Sequence, residues 1–238
     1  MRRNSALCLT FQIKSSIINH VSKEKGDILL LSDYEELGKV IAYMQSKYEE
    51  VTRRWNESTT LHINLRRTYM DSIDGGQDIY ASIFGYVQLL NEVSAEIFMD
   101  LSLLRSSLEI TSRVKAQNSI EYKIASYKGE KHEFGKIPLN KCLNDLFGVR
   151  VILPEAHSFQ EIRDFVDQYA PDLKCIDSSK GEYRATHLYF KLDNFSFPWE
   201  LQIWNQRDKE TNFESHKQYK QGYTVWENEN KKGGITNG

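Results

Sequence analysis

Cysteine is scarce in this 238-residue chain, and its three copies, Cys8, Cys142 and Cys175, stand far apart. No C-x-x-C pair occurs, so neither a zinc knuckle nor a dithiol redox centre is written here. A secreted disulfide framework has no support either. Long apolar runs are also missing: stretches such as Ile28 to Leu31 fall far short of the ~20 residues that span a bilayer. The opening residues, MRRNSALCLTFQIKSS, have two arginines but no sustained apolar core of a secretory signal. These absences predict a cytoplasmic protein in a reducing compartment, with no membrane partner. Charge of one sign is lacking as well. With a net charge of −2, the chain as a whole is no nucleic-acid sponge, and any polyanion must be met by a local patch.

Several catalytic signatures are absent. There is no G-x-G-x-x-G, no G-x-S-x-G and no H-E-x-x-H, and no His-Asp pair on which a metal phosphohydrolase centre could be built. GEKHEFGKI at 129–137 approaches a P-loop. It puts five residues between its glycines and Ile137 after its lysine, where that motif needs four and a Ser or Thr. No internal repeat is visible at ~20–50-residue spacing.

What is present is enough for a packed core: 40% apolar and 12% aromatic residues exclude a wholly disordered chain. The length suits one large domain, or one domain plus an extension. The first half reads as helical. Ser32 and Glu35 form a capping box, after which Leu37, Val40, Ile41, Met44, Tyr48 and Val51 recur at helical spacing. A second run, after a Gly75-Gly76 break, sets Ile83, Val87, Leu90, Ile97, Leu101 and Leu104 on one face. LHINLRR, around Ile63, fits a strand or a helix. The second half alternates. Strands are expected at 148–153, 184–191 and 199–204, and a helix over 158–170. In the last strand Trp199, Leu201 and Ile203 share one face and Glu200, Gln202 and Trp204 the other. The pattern predicts an α/β (α+β) fold with a sheet under helical cover. The last dozen residues are polar and glycine-rich and should fray.

Four short pieces hold residues with chemical potential. In RVKAQNSIEYK, Arg113 and Lys115 would point to one side of a strand, and Ser119 and Lys123 would lie one turn apart on the following helix. Cations and a hydroxyl at a strand–helix junction suit a polyphosphate, although a solvated cationic edge has the same composition. The loop KGEKHEFGK adds Lys128, Lys131 and Lys136 with two glycines, and reads as a mobile cationic loop or a merely soluble one. In LNDLFGVRVIL, Asp145 precedes a buried strand as a turn residue or a ligand for a divalent cation. Arg150, amid β-branched neighbours and on the face of Gly148, needs a partner, such as a base or a phosphate. On the last two strands, Tyr183 and His187 share a face, as do Glu200 and Gln202. An acid flanked by Trp199 and Leu201 is costly unless paired or holding a metal. His216, in the helix expected over NFESHKQYK, reads by itself as structural.

These pieces together resemble the RelA/SpoT nucleotidyltransferase (alarmone synthetase) domain over residues 85–225. The markers run in the family's order: R-V-K with S-I-E-Y-K, D-L-F-G-V-R, Y-R-A-T-H-L, E-L-Q-I and E-S-H-K-Q-Y-K. The resemblance implies a mixed-sheet, nucleotidyltransferase-like synthetase domain. It would follow a mainly helical extension at 1–84 and precede a flexible tail at 226–238. It implies a pyrophosphokinase that moves the β,γ-pyrophosphate of ATP to a ribose 3′-hydroxyl and releases AMP. Arg113 and Arg150 would sandwich the adenine, and Lys115, Ser119 and Lys123 would contact phosphates, aided by Lys128, Lys131 and Lys136. Asp145 and Glu200 would hold Mg2+, and Glu200 would also activate the acceptor hydroxyl. Tyr183 would stack on the acceptor base with His187 and Gln202 nearby, and His216 belongs to the same substrate-binding set.

The departures lie on the acceptor side. Guanosine-specific small members usually carry Lys-Pro-Asn-Gly-Tyr before that tyrosine, where this chain has SSKGEYR, and follow E-x-Q with Arg-Thr, where this chain has Trp204 and Asn205. With no His-Asp hydrolase centre, the chain resembles a small, single-domain synthetase. PWELQIWN looks most like the toxic small alarmone synthetases of toxin–antitoxin pairs. That likeness implies the 3′-CCA end of tRNA as acceptor, with a guanosine nucleotide (GDP or GTP) or an adenosine nucleotide as alternatives, and a protein antitoxin as partner. Arg53-Arg54 and Arg66-Arg67 are candidate tRNA contacts, or ordinary exposed charges.

Overall fold

A computed structural model describes residues 25–73, 77–104 and 107–217. The expectations for Cys8, for the Gly75-Gly76 break and for the tail fall outside them. Two long helices open the described chain, α1 (Lys25–Ser58) and α2 (Gln77–Leu103). Strand β1 (Glu109–Val114) follows, then α3 (Gln117–Tyr127), a short helix α4 (Leu139–Cys142), β2 (Phe147–Leu153), α5 (Phe159–Tyr169), β3 (Lys174–Asp177), β4 (Thr186–Phe190) and β5 (Trp199–Asn205). A last helix, α6, covers 209–217. The strand order is β1-β2-β5-β4-β3, with β2 and β5 parallel and the other pairs antiparallel. The sheet is therefore mixed.

The apolar stripe of α1 packs as its spacing predicts: Leu37, Val40, Ile41, Met44, Tyr48 and Val51 are all buried. The helix does not start at the capping box. It runs through Ser32 from Lys25, because the apolar spacing continues upstream through Leu30 without a phase break and leaves no free helix end to cap. A capping box does form at Ser158 and Glu161, where apolar spacing alone pointed to the helix, and it opens α5. LHINLRR is neither strand nor helix; residues 61–64 are irregular and 65–67 turn.

One face of the sheet meets α1 and α2. Phe147, Val149, Val151, Leu188, Phe190, Trp199, Leu201 and Ile203 join the helices in one continuous core. Tyr86 of α2 accepts a hydrogen bond from the Trp199 indole at 2.8 Å, and the Tyr48 ring meets Trp199 edge-on at 5.4 Å. The helical segment thus shares the sheet's core, and residue 84 lies inside α2. Buried His157, after β2, bonds Asp33 at 3.1 Å and Tyr34 at 2.9 Å, tying that loop to α1.

The loop expected to be mobile is seated on the first half of the chain. Met70 N–H donates to Ile137 O at 3.0 Å, the Lys128 ammonium donates to the Ile73 carbonyl, and His132 stacks on Tyr127 at 4.1 Å. Gly135 has φ +86°, and a Cβ there would stand 2.8 Å from the Asp71 backbone nitrogen. Its glycine therefore serves close approach and a left-handed turn. Gly135→Ala should lower stability by about 1–3 kcal/mol in urea denaturation. An unchanged midpoint would show that the loop gives way freely.

Candidate active site

Residues paired across a sheet share a face. On the face away from α1 and α2, Arg113 stands opposite Gly148, Gly148 opposite Glu200, and Glu200 opposite Tyr189. One step along, Arg150 pairs with Gln202 and Gln202 with His187. Four strands thus bring five of the expected site residues into two adjacent rows. Gly148 leaves space between Arg113 and Glu200. A cleft of about 410 Å3 opens there, lined by Arg113, Gly148, Arg150, Gln202, Phe213 and His216 among others.

The polar groups of this face are joined in a defined sense. The Trp204 indole N–H donates to the Tyr183 hydroxyl oxygen at 3.2 Å. That hydroxyl's own hydrogen is then free to donate to His187 Nε2, 3.1 Å away. With Nε2 turned to the Tyr183 hydroxyl, His187 Nδ1 faces Glu200 Oε1 at 2.9 Å, where its N–H finds an acceptor. Glu200 Oε1 also accepts from Tyr189 at 3.1 Å, and Oε2 accepts from Gln202 Nε2 at 2.7 Å. Gln202 Oε1 accepts two N–H groups of Arg150, at 3.2 and 3.1 Å. Finally, the Arg150 guanidinium lies 3.8 Å from the centre of the Trp204 ring, closing the circuit. Burial alone would push the Glu200 carboxyl up, but the contacts with His187 and Gln202 hold it below the ordinary glutamate value. Burial pushes the Tyr183 phenol up to about 12, so it stays a neutral hydroxyl. Tyr189 is pushed up by burial and by the charge of Glu200.

A second cluster lies at the end of this face where β2 begins. Asp145 bonds the Lys115 ammonium through Oδ2 at 2.6 Å and the Lys123 ammonium through Oδ1 at 3.0 Å. Lys115 follows β1 and donates its backbone N–H to Leu146 O; Lys123 projects from α3. Burial would raise the Asp145 carboxyl, but Lys123 and Lys115 outweigh it and hold it well below the usual range. Arg113 adds its charge beside Lys115 and Arg150. Asp145 is close enough to Glu200 for one charge to act on the other. Two ionised, acceptor-only carboxylates suit Mg2+, which takes one or two carboxylates and fills its shell with water and phosphate. Among the described residues, no group of three or more His, Cys, Asp or Glu could hold a metal.

The remaining expected residues lie around this centre. Ser119 is in the first turn of α3, its N–H on Asn118 Oδ1 at 2.7 Å. Lys131 and Lys136 are exposed on the seated loop, and the Lys128 ammonium is held by Ile73. His216 packs from α6 against Trp204 and Tyr183 at ring distances of 5.5 and 5.2 Å. Sequence reasoning overlooked three residues. Tyr189 was findable, since strand alternation puts it on the face of His187. Asn212 and Phe213 carried no signal. Asn212 is fully buried and clamps the Arg184 N–H and C=O, both at 2.8 Å, which docks α6 beside Tyr183. Phe213 stands 5.4 Å from Arg150.

Asp145→Asn leaves two neighbouring ammonium groups without a counter-charge. It should cost about 3 kcal/mol in denaturant titration at pH 7. The depressed folded value sets the sign in acid: the Asp145 contribution is complete above the unfolded carboxylate pKa of ~4 and drains away as pH falls below it. The gap between wild type and Asp145→Asn should therefore shrink between about pH 4 and lower pH. A gap that is constant with pH would contradict the ion-pair assignment.

No family model matches the chain, and no curated protein matches it. Among solved structures it is similar to small alarmone synthetase 1 of Bacillus subtilis, at 20% identity, 63% of this chain, 82% of that one and a TM-score of 0.38. Small alarmone synthetase 2 of the same organism gives 20% identity, 60% and 81% coverage and a TM-score of 0.36. The first enzyme bound to AMPCPP gives 18% identity, 63% and 82% coverage and 0.35. At these scores the functional reading rests on the geometry of the site itself.

Proposed function

We propose that this chain is an ATP-dependent pyrophosphokinase. The single observation that carries the reading is the convergence, on one sheet face, of two ionised carboxylates, a lysine pair and two arginines beside an open cleft. Phosphoryl chemistry asks for charge neutralisation and positioning more than for a covalent helper, and this is the inventory it uses. Lys115 and Lys123 would hold the phosphates, with Ser119, Lys128, Lys131 and Lys136 around them, and Arg113 and Arg150 would take the adenine. Asp145 and Glu200 would hold Mg2+, which when bound neutralises phosphate charge. Glu200, kept ionised, would accept the acceptor's 3′-hydroxyl proton. The hydroxyl oxygen bonds to the β-phosphorus, the bond from that phosphorus to the α,β-bridging oxygen breaks, and AMP leaves with that oxygen. Tyr183 would stack on the acceptor base, with His187, Gln202 and His216 about it.

The acceptor we favour is the tRNA 3′ end, with the chain acting as a translation-blocking toxin restrained by a protein antitoxin. A cationic surface supports this reading. Leu139 N–H donates to Thr68 O and Asn140 N–H to Leu65 O, at 2.9 and 3.1 Å, which brings Arg66 and Arg67 beside Lys141 and the loop bearing Lys131 and Lys136. All five side chains are exposed, and none is in an ion pair among the described residues. Such a strip suits a phosphodiester backbone. Arg54, by contrast, is spent on Glu92 at 2.8 Å. The second reading, transfer to GDP or GTP, uses the same centre and does not need the strip. In the described residues no helix is long and apolar enough to cross a membrane.

ATP labelled at the γ-phosphate, incubated with total tRNA and with GDP, should deliver label to tRNA. Label found only in guanosine or adenosine nucleotides overturns the tRNA version, and none transferred to any of the three overturns the enzyme. Glu200→Gln should lower transfer by about 10²–10³-fold without loss of fold. Tyr183→Ala should raise the KM for acceptor more than that for ATP. Arg66→Glu with Arg67→Glu should weaken tRNA use, reduce its salt dependence by about one unit of slope per lost contact, and spare GDP.

A further inference from the structure

Trp204 is a large apolar side chain, 1% exposed, standing on β5 one step beyond the polar rows. It touches both halves of the cleft. Its ring carries the Arg150 guanidinium at 3.8 Å, and its N–H holds the Tyr183 hydroxyl at 3.2 Å. His216 stacks on it at 25° and Phe213 meets it edge-on at 5.3 Å, both from α6. Ile152 and Ala185 complete its packing. The ring has no room to turn without disturbing the groups that would meet the donor base and the acceptor base.

Resting on the functional reading above, we propose that Trp204 is a positioning residue that couples the two base subsites. A guanidinium has two stacking faces; the indole takes one of Arg150, the Phe213 ring stands 5.4 Å off, and the cleft that Arg150 lines would admit a planar base to the other. A phenol oxygen that accepts from the indole must aim its own hydrogen elsewhere, here at His187, and that fixes the Tyr183 ring. Among the described residues, longer paths also join Arg150 and Tyr183, one through Gln202, Glu200 and His187 and one through Phe213 and His216 of α6. A base bound against either one braces the shared indole, and the second base then meets a support already in place. Binding at one subsite therefore strengthens binding at the other.

The experiment is a pair of titrations with the α,β-methylene analogue of ATP in the presence of magnesium. This analogue cannot undergo transfer. Acceptor Kd, for total tRNA and separately for GDP, is measured with and without the analogue, and the analogue's own Kd is measured alone. In wild type the analogue should tighten acceptor binding. Trp204→Phe keeps an aromatic ring under Arg150 but has no N–H. It should bind the analogue within about twofold of wild type and lose acceptor affinity by about three- to tenfold, the scale of one hydrogen bond. Trp204→Leu should also weaken the analogue, by about three- to thirtyfold. In both, the ratio of acceptor Kd without and with the analogue should fall toward one. Tyr183→Phe combined with Trp204→Phe should be no worse than the poorer single variant, a readout independent of the larger substitution. A variant that weakens both ligands while keeping the wild-type ratio marks a merely structural residue and overturns the proposal alone. Wild type that binds neither the analogue nor an acceptor overturns the functional reading, and the coupling with it.

Discussion

A carboxylate in the middle of a five-stranded sheet must have its lone pairs answered or be neutralised. Glu200 is 5% exposed, and the remainder of the polar face is arranged around that demand. His187, Tyr189 and Gln202 answer it directly, and each is available only because β4 and β5 are paired in the register that puts them on one face. Gln202 can turn its amide nitrogen to Glu200 because Arg150 takes the amide oxygen. His187 can present Nδ1–H because Tyr183 donates to its other nitrogen. A slip of one residue in the β4–β5 pairing would bury Leu201 among polar groups and put Glu200 into the core.

The face is graded along the strands. At the start of β2 lie Asp145, Lys115 and Lys123, a concentration of full charges suited to phosphate. In the middle are Arg150, Gln202 and His187, which combine charge with flat, directional hydrogen bonding. At the far end Trp204, Tyr183, Phe213 and His216 make an aromatic corner suited to bases. A nucleotide has the same order of chemistry, phosphate to base. The two charged clusters carry opposite risks. Asp145 is stabilised by ion pairs whose breaking strands two ammonium groups, whereas Glu200 depends on a circuit of hydrogen bonds from His187, Tyr189 and Gln202.

Much of this was legible in residue order. The two helices of the first half, the strands at β2, β4 and β5 and the helix α5 follow from apolar spacing, and the division of β5 into an apolar and a polar face follows from alternation. Asp145, Arg150 and Glu200 stood out because charge was interleaved with β-branched or aromatic neighbours. The start of α1 was misplaced because Ser32 and Glu35 fit a helix end by residue type, while the apolar register upstream favours continuation. The loop at 129–136 was misjudged for a related reason. Its glycines looked like freedom, yet the close approach to Asp71 that Gly135 permits depends on a segment some sixty residues away.

By itself, the order of residues determined the periodicities, hence which elements form and which side of each is apolar, because those depend on neighbours within a few positions. It also singled out the side chains whose types suit phosphate, base or metal chemistry. The sheet order, with β2 and β5 parallel neighbours, and the placing of Asn212 and Phe213 over Arg184 and Arg150, were decided only in three dimensions. So was the closure of six side chains from three strands and a loop into one circuit. Hydrogen-bond direction, tautomer and stacking are relations between groups distant along the chain, and no local pattern encodes a distance that only packing sets.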